Sequence, residues 1–200
     1  MSESGDTARF ERAIAAIDAA NAEDPNRLTF AGESLPKELV HAELVTRWIE
    51  KLVDDPDEAL RLAARAHHLK RWERPRSGHP EGRAGYHRWR RDLQQYHADE
   101  AAKILAAAGY EAPLIERVGD LIHKRGLASD PDAQALEDAL CLVFVETQLA
   151  DFSSKHPEAK VVDILVKSLR KMSPAGHAAA REISLSEKAA ALLERAVSEL

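Results

Sequence analysis

The apolar residues recur at intervals of three and four along nearly the whole chain, and this periodicity constrains its fold more than any other feature. Such spacing places apolar side chains on one face of an α-helix, whereas a half-buried strand shows strict alternation. Alanine is abundant, and no convincing alternating pattern is present. The sequence therefore predicts an all-α protein.

The length and the uniform composition indicate a single domain. Two hundred residues can bury one sizeable core, and no linker, internal repeat or low-complexity tract divides them. We expect one helical domain over residues 1–200.

Charge and cysteine content narrow the class of protein. A net charge of −6 with 31% charged residues is typical of a soluble surface and gives no indication of a nucleic-acid binder. The single cysteine, Cys141, rules out an internal disulfide framework and suits a reducing compartment. The start MSESGDTARF lacks the features of a signal peptide, and no apolar run is long enough to cross a bilayer. We expect a soluble cytoplasmic protein.

Several helix boundaries follow from caps and helix breakers. Residues 21–36 are rich in turn formers, and residues 73–85 are rich in Gly and Pro, so both predict loops. Between them, a cap at residues 55–58 opens a helix that we expect to end near Trp72. Asp130-Pro131 opens a helix predicted to reach about Phe152. The spacing of Ser184 and Glu187 predicts a capping box for the last helix.

A second pattern lies within the predicted helices: polar side chains that bind metals occupy or flank their apolar faces. Burying imidazole or carboxylate among apolar groups is costly unless something pairs with them. A lone buried histidine is usually a hydrogen-bonded core residue, but several on separate helices favour one shared metal ion. The residues are His41, His67, His97, His123 and Asp138, with His68 directly after His67.

The order of these residues resembles the HD-domain metal-dependent phosphohydrolase superfamily, whose motif is H…HD…D. The segments HAELV, AARAHHLKRW and EDALC carry the resemblance, and YHADEAAKILAAAGY and VGDLIHKRG resemble the intervening segments that hold two more histidines. The similarity covers about residues 36–152 and leaves the C-terminal helices, about 157–200, outside. WERPR, GYHRW and KMSPAG also resemble a family of short bacterial and fungal proteins that share a domain of unknown function.

The resemblance implies an all-α HD-like bundle and assigns roles by position. His41, His67, His68 and Asp138 match the metal ligands. His97 and His123 match the additional histidines, which would position phosphate or protonate the leaving oxygen if they are not ligands themselves.

One residue departs from the superfamily motif. His68 stands where the superfamily has an aspartate, and a neutral imidazole offers one lone pair instead of two bridging oxygens. We therefore expect one divalent cation rather than two. An imidazole-rich set favours Zn, Mn, Fe, Co or Ni over Mg.

A basic and aromatic segment follows the His67-His68 pair. Arginine binds phosphate bidentately, and Trp or Tyr can stack on a base. The alternative interpretation is a solvated loop with scattered arginines. The residues predicted to bind substrate are Arg74, Arg76, Arg83 and Arg90.

These observations together favour a phosphohydrolase that acts on a small phosphorylated, nucleotide-like substrate as a phosphomonoesterase or phosphodiesterase. Two alternatives stay open: an iron-dependent HD-type oxygenase, and a non-catalytic metal- or RNA-binding module. The missing bridging aspartate counts against the oxygenase, and the overall charge counts against nucleic acid as a partner. The sequence does not determine the substrate or the oligomeric state.

Overall fold

The computed structural model describes residues 3–30 and 32–200, and it confirms the all-α prediction. Ten α-helices and one short hairpin occur in this part of the chain. The helices are α1 (Glu3–Ala22), α2 (Lys37–Leu52), α3 (Glu58–Ala66), α4 (Gly82–Ala108), α5 (Ala112–Ile122), α6 (Pro131–Thr147), α7 (Leu149–Lys155), α8 (Glu158–Leu169), α9 (Pro174–Ala180) and α10 (Glu187–Ser198). None of these described helices is long and apolar enough to span a membrane.

Contacts within the chain define two compact units. The first consists of Met1–Arg47 and Asp55–Arg125, and the second of Trp48–Asp54 and Gly126–Leu200. The prediction of a single domain, with an HD-like core over about residues 36–152, stays a prediction.

In the first unit, α3 packs against α1 and α5, and α4 packs against the same two helices. The core of this unit is aliphatic, since the apolar face of each helix is turned inward. Its largest fully buried side chains are Ile17, Leu60, Leu62, Leu69, Leu93, Leu105, Leu121 and Ile122.

A β-hairpin replaces part of the loop predicted over residues 21–36. Strands β1 (Arg27–Phe30) and β2 (Glu33–Pro36) pair antiparallel, with Leu28 opposite Leu35. Two bonds close its base: Lys37 N–H donates to Asn26 O, and Asp24 Oδ2 accepts from Glu38 N–H at 3.0 Å. The sequence did not predict these strands, because four residues show too little alternation to be recognised among turn-forming residues.

The third helix is shorter than predicted. It begins after Asp57, whose side chain accepts from Leu60 N–H, and it ends at Ala66 rather than near Trp72. The chain then turns through Lys70, which has a φ of 53°. No Gly or Pro marks this end, so composition gave no signal for it.

The segment predicted as a loop over residues 73–85 is partly helical. Two short 3-10 turns, Arg71–Glu73 and Arg76–Gly78, precede α4, which begins at Gly82. Gly85 lies in the first turns of α4 against the preceding segment, and a Cβ there would meet Pro80 O at 1.8 Å. A glycine is therefore required for this segment to fold back on α4.

We expect Gly85→Ala to destabilise the protein by about 1–3 kcal/mol, because the added methyl must displace the backbone at Pro80. Gly119→Ala is the matched control, since a Cβ there meets nothing within 4 Å in the middle of α5. That change should stabilise the helix by about 0.5–1 kcal/mol. Urea unfolding followed by circular dichroism measures both, and equal effects would contradict the packing described here.

In the second unit, α8 packs against α10, and α6 packs against α7 and α9. Its largest fully buried side chains are Ile49, Leu136, Leu142 and Leu149, and Cys141 is also buried. The helix predicted to continue to Phe152 is interrupted at Gln148, which separates α6 from α7. The N-cap of α10 is Ser186, not Ser184 as the capping-box spacing predicted, and its hydroxyl accepts from Ala189 N–H.

Candidate functional site

Four imidazole rings meet in the first unit and form what we call the histidine cluster: His41, His67, His68 and His97. The His41 and His68 rings stack with centroids 4.1 Å apart and planes 11° apart. His68 also lies 5.0 Å from His67 and 5.8 Å from His97, between ring centroids. The structure thus brings together four of the six residues that the sequence singled out as metal ligands or catalytic groups.

Three elements position the cluster. His41 lies in α2, His97 lies in α4, and His67 and His68 follow the last turn of α3. Buried Asn21 supports that turn, because its Oδ1 accepts from Lys70 N–H at 3.3 Å. The short α3 is therefore important, since it lets both residues of the pair reach the cluster.

Three ring nitrogens of the cluster have no hydrogen-bond partner in the described residues, although they are buried. They are His41 Nε2, His67 Nδ1 and His97 Nε2. The tautomer of His97 is fixed, because its Nδ1 lies 2.7 Å from Leu69 O, which can only accept. The lone pair of His97 is thus on Nε2. Buried polar atoms without partners are rare and call for an explanation, such as a bound ion.

The cluster is neutral at physiological pH. Burial, and after it the charges of Arg71 and Lys37, lower the pKa of His41 to about 3. Burial likewise lowers the pKa of His97 to about 4 and holds the pKa values of His67 and His68 well below their usual range. Neutral imidazoles keep the lone pair that a metal needs.

His68 differs from the other three because both of its nitrogens have neighbours. Its Nδ1 lies 3.2 Å from Glu38 Oε2, and its Nε2 lies 3.5 Å from a guanidinium nitrogen of Arg71. The prediction that His68 is a metal ligand stays untested, but its lone pair already faces a donor.

Glu38 is a buried carboxyl group that the sequence analysis missed. It is 5% exposed, and burial raises its pKa to about 7, against the opposing effect of Arg71 and Lys37. Its Oε1 lies 3.9 Å from Arg71 Nε. The available signal was its position three residues before His41, which places both on one face of α2.

Arg71 is the second residue that the sequence analysis missed. Its guanidinium lies 5.0 Å from the centroid of the Trp89 ring, and burial lowers its pKa. The charges of Arg71 and Arg90 both act on the His97 imidazole, and those of Lys124 and Arg90 act on His67. The cluster therefore lies in a positive local field.

Of the four arginines predicted to bind substrate, Arg90 is the one whose charge reaches the cluster. It is half-buried and has no hydrogen bond or ion pair within the described residues. Arg76 instead donates to His79 O and Pro80 O, at 2.8 and 2.7 Å, and so holds its own loop.

Arg74 and Arg83 have other neighbours. The Arg74 guanidinium lies 4.6 Å from the centroid of the Tyr96 ring, and its carbonyl accepts from Trp89 Nε1. Arg83 Nε lies 3.4 Å from His87 Nε2, on the exposed side of α4. Their predicted contact with substrate stays a prediction.

His123 lies at the C-terminus of α5, where its backbone N–H donates to Gly119 O. It is half-buried, and burial lowers its pKa. Within residues 3–30 and 32–200 its ring contacts none of the four rings of the cluster. Its predicted catalytic role stays untested.

Asp138 belongs to the second unit, where its carboxylate binds the start of α9. Oδ1 accepts from Ser173 N–H and Gln134 Nε2, both at 2.9 Å, and Oδ2 accepts from Ser173 Oγ at 2.5 Å. A Cβ at Gly176 would meet Asp138 Cγ at 2.7 Å, so the carboxylate packs directly on the first turn of α9. The segment KMSPAG therefore anchors Asp138, and its predicted role as a metal ligand stays a prediction.

The histidine cluster is not already arranged as a metal site. Among the described residues, no group of three or more His, Cys, Asp or Glu side chains is placed to hold a metal ion. The stacked rings account for part of this, because imidazole lone pairs lie in the ring plane and nearly parallel rings direct them side by side. A shared ion would require rings of the cluster to rotate.

The fold and the histidine cluster define an all-α protein with four histidine rings packed together in its interior. A family model described as a domain of unknown function (DUF4202) matches residues 11–193, and the chain belongs to this family. No curated protein and no solved structure matches the chain significantly.

Proposed function

We propose that this chain is a metal-dependent phosphohydrolase acting on a small phosphorylated substrate. The observation that supports it most is the set of three buried, unpartnered nitrogens on His41, His67 and His97. Membership of the HD-domain superfamily is part of the same proposal and rests on the resemblance in sequence.

The donor chemistry fits a divalent transition metal. All three nitrogens belong to imidazoles that burial keeps neutral, and such ligands favour Zn, Mn, Fe, Co or Ni. The Leu69 carbonyl orients His97 by accepting from Nδ1–H, as outer hydrogen-bond partners of ligating histidines usually do. His41, His67 and His97 would hold such a metal, which would supply Lewis acidity and a water molecule of lowered pKa.

The surrounding cations suit an anionic substrate. Arg71 contacts His68 of the cluster, and the charge of Arg90, which has no counter-ion in the described residues, acts on His97 and His67. In a partly buried site, guanidinium groups bind phosphate oxygens and neutralise charge that develops during transfer. We therefore assign the phosphate to Arg71 and Arg90 rather than to Arg76, which already donates to two backbone carbonyls.

A screen of hydrolysis with defined metals tests the proposal. The protein is stripped with a chelator, reloaded with one metal at a time, and assayed with p-nitrophenyl phosphate and bis-p-nitrophenyl phosphate. We expect hydrolysis with at least one metal. His67→Ala should lower the rate by more than about 100-fold, beyond the 10–100-fold typical of outer-sphere residues.

His87→Ala is the matched control, because His87 is an exposed histidine of α4 and should leave the rate unchanged. Absence of hydrolysis with every metal would contradict the proposal. Equal rates for the wild type and His67→Ala would do the same. Tight metal binding without turnover would support the non-catalytic alternative instead.

A further inference from the structure

We propose that Glu38 is a positioning residue: through His68 it holds the Arg71 guanidinium in place to bind an anion. This inference rests on the proposed function for the identity of the anion, but the hydrogen-bond chain that carries it is made of protein side chains alone. Glu38, His68 and Arg71 form that chain, with successive contacts of 3.2 and 3.5 Å.

The tautomer of His68 follows from its two neighbours. A guanidinium has only N–H donors, so the nitrogen that faces Arg71, Nε2, must carry the lone pair. The proton is then on Nδ1, and Glu38 Oε2 accepts from it. The opposite tautomer would set Nε2–H against an N–H of Arg71.

The backbone of Glu38 is held at the start of α2. Its N–H donates to Asp24 Oδ2 at 3.0 Å, and buried Asp24 also accepts from Asn26 N–H through Oδ1 at 2.9 Å. The base of the hairpin therefore fixes the backbone of Glu38, and burial to 5% exposure restricts its side chain. The carboxyl group contacts His68 through Oε2 and can orient that imidazole.

Arg71 is the residue whose guanidinium this arrangement holds in place. It lies between the Trp89 ring at 5.0 Å and the chain of Glu38 and His68. Without a fixed acceptor on His68, one side of the guanidinium would be unsupported.

The first measurement reads the tautomer of His68 in the wild-type protein without metal. Long-range ¹H–¹⁵N correlation spectra of the imidazole nitrogens distinguish Nδ1–H from Nε2–H, and a His68→Gln variant assigns the signals. We expect Nδ1–H. A predominant Nε2–H tautomer would overturn the proposal, whatever the protein's activity.

The second measurement compares two uncharged replacements of Glu38 by their affinity for inorganic phosphate. Glu38→Gln retains an oxygen that can accept from His68, whereas Glu38→Ala does not, and both remove the same charge. We expect Glu38→Ala to bind phosphate about three- to tenfold more weakly than Glu38→Gln, as the loss of one hydrogen bond predicts.

The outcomes separate this inference from the proposed function. Equal phosphate affinity in the two variants would show that Glu38 acts only through its charge and would overturn the positioning role. If wild-type protein bound no phosphate, the anion site of the proposed function would fail, while the tautomer reading would still decide the link between Glu38 and His68. If Glu38→Ala does not fold, the phosphate affinities of the wild type and Glu38→Gln are compared instead. A more than tenfold weaker affinity in Glu38→Gln would contradict the positioning role of Glu38, and an unchanged affinity would support it.

Discussion

Asp138→Ala is expected to lower the free energy of unfolding of the second unit by about 2–4 kcal/mol. The change leaves Ser173 and Gln134 without their buried acceptor, and each hydrogen bond to a charged group contributes about 1.5–3 kcal/mol. Trp48 belongs to this unit, so a Trp72→Phe, Trp89→Phe background leaves its fluorescence as the reporter in urea.

Asp163→Ala is the control for that measurement, because its exposed pair with Lys167 should contribute less than about 1 kcal/mol. Equal unfolding of Asp138→Ala and wild type would contradict the anchoring role. The affinity of folded Asp138→Ala for a metal ion tests the role of Asp138 as a metal ligand. A weaker affinity than that of the wild type would support this role, which the sequence predicted, and an unchanged affinity would reject it.

Arg71→Met should lower kcat/KM for phosphate esters by about ten- to a hundredfold, since one charge-assisted phosphate contact is worth about 1.5–3 kcal/mol. Arg71 contacts His68 and the Trp89 ring, so its guanidinium already lies beside the cluster. Methionine retains the length and apolar character of the side chain. Steady-state kinetics with the best substrate and metal from the screen provide the measurement.

Arg88→Met is the control, because Arg88 is an exposed arginine of α4 and its loss should leave kcat/KM unchanged. Arg76→Glu should reduce stability rather than kcat/KM, since Arg76 holds the carbonyls of His79 and Pro80. Unchanged kinetics for Arg71→Met, together with a large fall for Arg76→Glu, would place phosphate in the loop, as the sequence first indicated.

The helical class and the inward placement of two of the histidines were predictable, because both follow from the spacing of residues along single helices. Apolar residues at intervals of three and four fix a helix face, and the same spacing placed His41 and His97 inward. Gly109, with a φ of 91°, ends α4, and a glycine that follows a helical periodicity is a usual stop signal.

The parts that escaped prediction depend on contacts between distant residues. The end of α3 at Ala66 is followed by a turn that Asn21 supports, and no local residue type signals it. Glu38 and Arg71 looked like ordinary surface charges in the sequence. Only the fold shows that they meet at His68.

The partners of Asp138 in the second unit could not be predicted from the sequence for the same reason. Its place on the inner face of α6 was correct, since it is 2% exposed. A buried carboxylate can meet a metal or a set of N–H and O–H donors, and periodicity does not distinguish the two. Two of the three donors came from Ser173, thirty-five positions along the chain.

Metal binding by the cluster is the most direct test of the proposed site. Metal-free protein is titrated with Zn²⁺ in competition with a chromophoric chelator, and Co²⁺ absorption reports nitrogen ligation. We expect one ion per chain, and each of His41→Ala, His67→Ala and His97→Ala should weaken binding by more than about 100-fold, beyond the effect of an outer-sphere residue. His87→Ala should bind as the wild type does. A chain that binds no ion, or three cluster variants that retain wild-type affinity, would contradict the account.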